Sequence, residues 1–366
     1  MHIPDGYLSP ETCAIAYAAV VPVWIAASRR VTATLTTASV PALAVFSSVS
    51  FLVMMINVPI PGGTSVHALG AVAVAIVLGP WAAVIAVSVA LAFQALLFGD
   101  GGVLAFGANA LNMAVLMPFV GVWAYRLVAG RSALTSRRRL VAAGVGGYVG
   151  INAAALAAAV EFGIQPGLFH TASGAPLYAP YPLSQTIPAM ALAHLTIGGA
   201  VEAVLTAGVL AYLVRVDVRR LVPQHPGVPV HAGPTSPARS RLGRLTPTRA
   251  ALGALVVMVV VSPLGLLAPG GAFGEDAPGD LDLASLGLAA VPTGLNRLNG
   301  FWNHTVLRDY GFADGQNATL AYWLSALVGI AVVCSAVFAV GWLVARLGRR
   351  REPVAGPATD GQQVEP

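Results

Sequence analysis

The chain has 366 residues, of which 57% are hydrophobic and only 10% charged, with a formal charge of +5. A soluble domain carries roughly a quarter of its residues charged, so this composition excludes a water-soluble globular protein. All 20 basic residues are arginine. Without lysine there is no P-loop G-K-[ST] sequence and no amine for a pyridoxal Schiff base, so ATP hydrolysis by that route and pyridoxal chemistry are both excluded.

Residues Met1 to Pro10 are polar and turn-rich. They lack the basic and apolar regions of a signal peptide and are expected to stay in place. Helices crossing a hydrocarbon core of about 30 Å need about 20 apolar residues. The pattern predicts spans over 12–28, 36–56, 65–80, 82–98, 109–129, 140–161, 184–214, 250–268 and 321–345. The expected fold is therefore an all-α integral membrane protein with about nine transmembrane helices. Cys13 and Cys334 fall in the first and last spans and read as small packing residues, not as a disulfide.

Arginine placement sets the orientation. Arg29 and Arg30, Arg126 to Arg139, Arg215 to Arg249, and Arg346 to Arg351 follow spans one, five, seven and nine, and nine alternating spans put all of them on one side. Only Arg297 and Arg308 fall opposite. The N-terminus is expected outside and the C-terminus inside, in a bacterial cytoplasmic membrane. The charge follows membrane topology, and no nucleic-acid partner is implied.

Residues 215–249, rich in Pro, Gly and Arg, read as a cytoplasmic linker. They separate a seven-helix unit, 1–214, from a two-helix segment, 250–366, with an external loop of about 269–320 and a cytoplasmic tail. No internal repeat is visible, which weighs against inverted-repeat secondary transporters.

The opening Met1-His2-Ile3-Pro4-Asp5-Gly6 can form a chelate. The Met1 amine and the deprotonated His2 amide close a five-membered ring on a metal, and that amide and His2 Nδ1 close a six-membered one. Three coplanar nitrogens leave a fourth position. Such a field suits Ni²⁺, Cu²⁺ and, less typically, Co²⁺; Mg²⁺ and Ca²⁺ want oxygen, and Zn²⁺ prefers tetrahedral sites. An exposed, uninvolved second residue is the alternative. The turn-forming Pro59-Ile60-Pro61-Gly62-Gly63 leads through Thr64-Ser65-Val66 to His67 on the same expected membrane face. His67 can supply the fourth nitrogen, or serve as a packing residue.

The opening MHIPDG, the GGTSVH stretch ending at His67, and Phe98-Gly-Asp-Gly-Gly with Gly107-Ala-Asn-Ala-Leu-Asn-Met113 resemble the substrate-binding S component of cobalt and nickel energy-coupling-factor transporters, the CbiM/NikM family. The likeness covers roughly residues 1–214. It implies a seven-helix S-component bundle whose N-terminus folds inward, with Ni²⁺ or Co²⁺ held by the Met1 amine, the His2 amide and imidazole, and His67. It implies high-affinity capture within an ATP-driven importer, and as partners a transmembrane coupling (T) protein and two cytoplasmic ATPase subunits. Residues 250–366 resemble the small accessory N component, although its usual PDGLE motif is missing and the loop carries Gly274-Glu-Asp-Ala-Pro-Gly-Asp280 instead. No resident cofactor is implied.

Other polar residues admit two readings. His194 and Glu202, eight apart on span seven, serve as hydrogen-bonded structural groups or as support behind the metal ligands. Asn109 and Asn112 orient the N-terminal loop or pack between helices. Asp100 caps a turn or gates the site. A self-sufficient proton-coupled metal carrier is the competing function, but only Glu202 lies clearly deep, with Glu161 near a helix end. An intramembrane enzyme lacks any HExxH, GxSxG or paired intramembrane aspartates.

Overall fold

The computed structural model describes residues 1–34, 39–60, 64–230, 247–268 and 272–349. The first helix, α1 (Pro10–Thr34), starts where Ser9 Oγ accepts the Thr12 N–H at 3.1 Å and Pro10 occupies the first helical position. Both features satisfy or remove amide donors that a helix start leaves orphaned. Helix α2 (Ser39–Met54) follows, then an antiparallel hairpin of β1 (Val58–Ile60) and β2 (Thr64–Val66), with Val58 opposite Val66.

The third expected span departs from the sequence reading. Helix α3 (Ala71–Leu78) has eight residues, hence a length of about 12 Å. By itself it is too short to span a hydrocarbon core of about 30 Å. Residues 58–66 are spent on the hairpin, and Gly70, at φ +71°, bends the chain into the helix. Gly79, at φ +94°, ends it, and Pro80 opens α4 (Pro80–Phe98) at once. The apolar run that looked continuous is a hairpin followed by a half-length helix, which ends where Gly79 meets the Gln224 side chain.

Helix α5 (Phe106–Ala129), α6 (Arg137–Leu168) and α7 (Leu183–Gln224) complete the first unit. The C-terminal unit has α8 (Pro247–Val261), a loop with short helical turns, and α9 (Ala318–Arg349). Among the described residues, six helices are long and apolar enough to cross a membrane: α1, α4, α5, α6, α7 and α9. Apolar stretches over Val40–Met54 and Leu252–Leu267 are shorter. The chain is thus a mostly helical, multi-pass membrane protein. Helix α7 runs past the expected end at Val214 and finishes as a 3₁₀ turn, Val218–Gln224. The amides of Leu134 and Thr135 then donate to the carbonyls of Pro229 and Val230, so the front of the expected linker is folded onto the bundle. The rest of that linker, with Arg239, Arg241 and Arg244, and the tail from residue 350 lie outside the described residues.

Helix α6 packs between α5 and α7, and α9 docks on α2. The α5–α6 crossing is close because it is built on glycine. A Cβ on Gly146 would stand 2.7 Å from the Gly121 carbonyl oxygen, and one on Gly150 2.7 Å from that of Met117. Small residues let membrane helices approach backbone to backbone, where packing replaces the missing hydrophobic drive. Gly146→Leu should therefore destabilise the bundle by about 1–3 kcal/mol or more. A lowered melting midpoint and an aggregated fraction on gel filtration would register it. Gly208→Leu, at a position with nothing within 4 Å, should melt like the parent.

Candidate metal centre

The N-terminus is folded into the protein. Met1, His2 and Ile3 are buried, and His2 is 2% exposed. The Ile3 amide donates to Asn109 Oδ1 at 2.8 Å, and Asn109 Nδ2 donates back to the Ile3 carbonyl at 3.0 Å. The Gly102 amide donates to the same carbonyl at 2.8 Å. Two residues on, the Asp5 carboxylate accepts the amides of Val103, Leu104 and Ala105 at 2.7–3.1 Å, just before α5. An anion there caps orphaned amides and faces the positive helix end. Burial raises the Asp5 pKa against the pull of those three amides. Gly102 has to be glycine, because a Cβ would overlap the Asp5 carboxylate.

This anchoring sets His2 against His67, which is 4% exposed. Their rings stack with centroids 4.9 Å apart and planes 22° from parallel. His2 Nδ1 lies 2.6 Å from Asp100 Oδ1, and His67 Nδ1 faces the Ala68 carbonyl at 3.2 Å. Nε2 of each ring is buried without a hydrogen-bond partner, and so is Nε2 of His194. Buried polar atoms left bare are uncommon and call for a ligand or a functional reason. Burial, with the N-terminal ammonium and His2 nearby, holds the His67 pKa well below the usual imidazole range, so its ring is neutral and can donate a lone pair. Among the described residues no three His, Cys, Asp or Glu side chains form a metal-holding cluster.

Glu202 fixes the approach of His67. Its Oε2 accepts the amides of Leu69 and Gly70 at 2.8 and 3.0 Å, and Oε1 accepts from Thr206 Oγ1 at 3.3 Å. The carboxylate thus caps the half-helix α3 at the residues that follow His67. His194 opens a π-helical turn, 194–198, that packs against the β1–β2 hairpin, and its Nδ1 meets the Met190 carbonyl at 2.9 Å. Two more π turns, 94–98 and 110–116, precede Asp100 and follow Asn109. Such bulges widen a helix by one residue per turn and gather at functional sites.

The C-terminal unit reaches the same place. Glu275 Oε1 lies 3.1 Å from the Met1 nitrogen. The Tyr7 hydroxyl donates to the Asp276 carbonyl at 2.7 Å. The Tyr310 hydroxyl donates to Asp100 Oδ2 and accepts from Gln94 Nε2 at 2.8 Å. Burial would raise the Asp100 pKa, but the His2 ring and the Tyr310 hydroxyl outweigh it and hold the carboxyl below its usual range. Burial and the Asp100 charge push the Tyr310 phenol up, which keeps it a neutral donor.

Of the residues singled out from sequence, Met1, His2, His67 and Asn109 meet at one end of the bundle. Glu202 touches the His67 segment through backbone. Asn112 instead donates to Glu161 at 2.6 Å, away from the N-terminal loop. Asp100 is neither a mere turn cap nor isolated: it is the partner of His2. Glu275 and Tyr310 were missed, since a lone acid and a lone phenol in a long loop carry no spacing signal.

These features define a multi-pass, mostly helical membrane protein whose N-terminus is buried within the bundle. The comparisons with known proteins are specific on which. Residues 2–220 match the CbiM family, described as the cobalt uptake substrate-specific transmembrane region, and the chain belongs to this family. It is 49% identical over 349 residues to the fused nickel transport protein NikMN of Rhodobacter capsulatus, covering 92% of this chain and 96% of that one. A solved transition metal transporter superposes with a TM-score of 0.56 at 54% identity, covering 60% of this chain and 96% of that one. A truncated transition metal transporter gives 0.55 at 56% identity, with 58% and 98% covered.

If Glu202 holds His67 in register, Glu202→Ala should weaken Ni²⁺ binding by about 10–100-fold, the range for lost support behind a ligand. Calorimetric titration of the purified variant would read this. Affinity equal to the parent's in a normally folded protein would show that the cap does not position His67.

Proposed function

We propose that this chain captures Ni²⁺ or Co²⁺ and serves as the substrate-specificity subunit of an ATP-driven importer. One observation carries the reading: a buried Met1 amine and two buried, stacked imidazoles share one end of a membrane bundle. The four donors are the Met1 amine, the deprotonated His2 amide, His2 Nδ1 and a His67 nitrogen. Together they make the near-planar nitrogen field that suits Ni²⁺ well and Co²⁺ acceptably.

The contacts around these donors describe how capture proceeds. His2 Nδ1 must release Asp100, and the Met1 nitrogen must shed the proton that faces Glu275. The rings must turn out of their stack so that both aim at one ion. Asp100 and Glu275 stay beside the site and offset the charge of the cation. Every donor here binds without its proton, so acid should release the metal.

The chain has no P-loop lysine, so energy comes from partners: a transmembrane coupling protein and two cytoplasmic ATPase subunits. The C-terminal unit takes the accessory role despite its missing motif, and its support is the contact of Glu275 with Met1 and of Tyr310 with Asp100. The alternative of a proton-coupled carrier is disfavoured by its own acids. Glu202 is engaged by two backbone amides and Glu161 by Asn112, which makes both structural.

The chelate has a test that changes no side chain. One Gly inserted between Met1 and His2 moves the imidazole out of chelate register. This variant should insert into membranes normally yet lose stoichiometric Ni²⁺ or Co²⁺ binding by calorimetry. Full binding by a protein whose N-terminus carries an uncleaved tag, checked by mass spectrometry, would rule out the terminal amine as a ligand.

Orientation is tested separately. A reporter fused after residue 235 should read as cytoplasmic and one near residue 285 as external. The same compartment for both would overturn the two-helix reading of the C-terminal segment, and exchanged compartments would overturn the N-outside, C-inside arrangement.

A further inference from the structure

At the bundle end opposite the metal centre, the loop after α5 folds over a buried cation. Arg139 is 2% exposed. Its Nε donates to the Ser132 carbonyl at 2.7 Å, Nη1 to the Tyr125 hydroxyl at 2.7 Å, and Nη2 to the Gly130 carbonyl at 3.4 Å. These partners are dipoles. Among the described residues, no carboxylate pairs with Arg139. Partial charges at the end of α5 favour a cation, but they do not cancel a full charge taken out of water.

Beside this guanidinium lies a cavity of about 340 Å³, lined by Arg126, Gly130, Arg139, Gln224 and His225 among others. His225 is itself buried and shares a 3.0 Å hydrogen bond with Tyr125. The cavity walls carry two arginines and no acid. An anion is the chemical complement, and a guanidinium binds phosphate oxygens with particular geometric fit.

The surroundings select the anion. Trp123 and Leu127 are 64% and 68% exposed on α5. With Arg126 and Gly130 they fall at positions i, i+3, i+4 and i+7, which is one helix face. A lipid-facing apolar stripe therefore runs straight into the basic cavity, and its tryptophan sits one turn from the arginine, as at a membrane interface. Val141, one turn after the exposed Arg137 and Arg138 on α6, extends the apolar surface.

We propose that this cavity binds the phosphate headgroup of an anionic phospholipid, with Arg126 and Arg139 on the phosphate and the acyl chains along Trp123 and Leu127. Basic pockets of this kind between membrane helices are suited to acidic lipid headgroups.

The test is native mass spectrometry of the full chain in neutral detergent, titrated with phosphatidylglycerol or with phosphatidylcholine. The parent should retain phosphatidylglycerol preferentially. Arg126→Gln, at an exposed position, should fold normally by gel filtration and lose about fivefold in apparent phosphatidylglycerol affinity. Arg137→Gln removes an exposed charge at the same end but outside the cavity lining, and should lose less than twofold. Equal retention of the two lipids would overturn the proposal. Equal losses from the two variants would also overturn it, by reducing the effect to diffuse surface charge. Displacement of phosphatidylglycerol by millimolar inorganic phosphate would show that the cavity takes the free ion and not a lipid.

Discussion

Everything around the candidate metal centre depends on burying a chain terminus. An ammonium group and the amides that follow it are expensive to remove from water, and inside a membrane bundle they have no solvent to fall back on. Each must find a protein partner or a ligand. Asn109 takes both polar groups of Ile3, Asp5 takes three amides at the start of α5, and Glu275 stands by the terminal nitrogen. What the anchoring leaves bare is Nε2 on two neighbouring imidazoles. The same network that fixes the terminus thus gathers the Met1 nitrogen and both imidazoles in one place, with His2 Nδ1 held by Asp100.

Helix α3 follows from this requirement. A full-length third span would carry His67 past the N-terminus along a straight helix. The hairpin and the bend at Gly70 place His67 beside His2 and leave only eight residues of helix below it. Broken helices are tolerated within membranes where neighbouring protein satisfies the freed backbone groups. Glu202 does so here for Leu69 and Gly70. A carboxylate that looked like a candidate proton carrier therefore serves as the cap that makes the broken helix affordable.

Legibility in the sequence followed the physics of each feature. Long helices were legible because crossing a bilayer demands length and apolarity, which are local properties. The proposed terminal chelate could be framed from sequence because its ring sizes depend only on consecutive atoms, Met1 to His2. The half-helix α3 was not, since Thr64 to Leu78 is as apolar as a spanning segment and hides a hairpin paired through backbone bonds. The π turns were invisible as well, because an extra residue in a helical turn changes no composition. Asp100, Glu275 and Tyr310 become neighbours only through long-range packing: 210 residues separate Asp100 from Tyr310 and 274 separate Met1 from Glu275. Asn109 and Asn112 show the limit most sharply. Three positions apart on one helix, one clamps the N-terminal loop and the other binds Glu161.

The C-terminal unit gains its meaning from those same long separations. Glu275 and Tyr310 lie in a loop that meets the first unit through backbone hydrogen bonds and aromatic packing, yet as a separate chain it would have to meet the site by diffusion and lose freedom on docking. Held in one chain, the contact becomes intramolecular, and its effective concentration is set by the connecting segments instead of by expression level. Docking of α9 on α2, where a Cβ at Gly329 would overlap the Phe51 ring, narrows the positions that the loop can take. Phe51 in turn packs on Phe98 and Tyr310, with ring centroids 5.3 and 6.3 Å away. A continuous stack thus runs from the α2–α9 interface to the hydroxyl that holds Asp100, and from Asp100 to His2. The orientation of the first imidazole is therefore coupled to the seating of a helix more than 300 residues later in the chain, through contacts that are each short-range and physically ordinary.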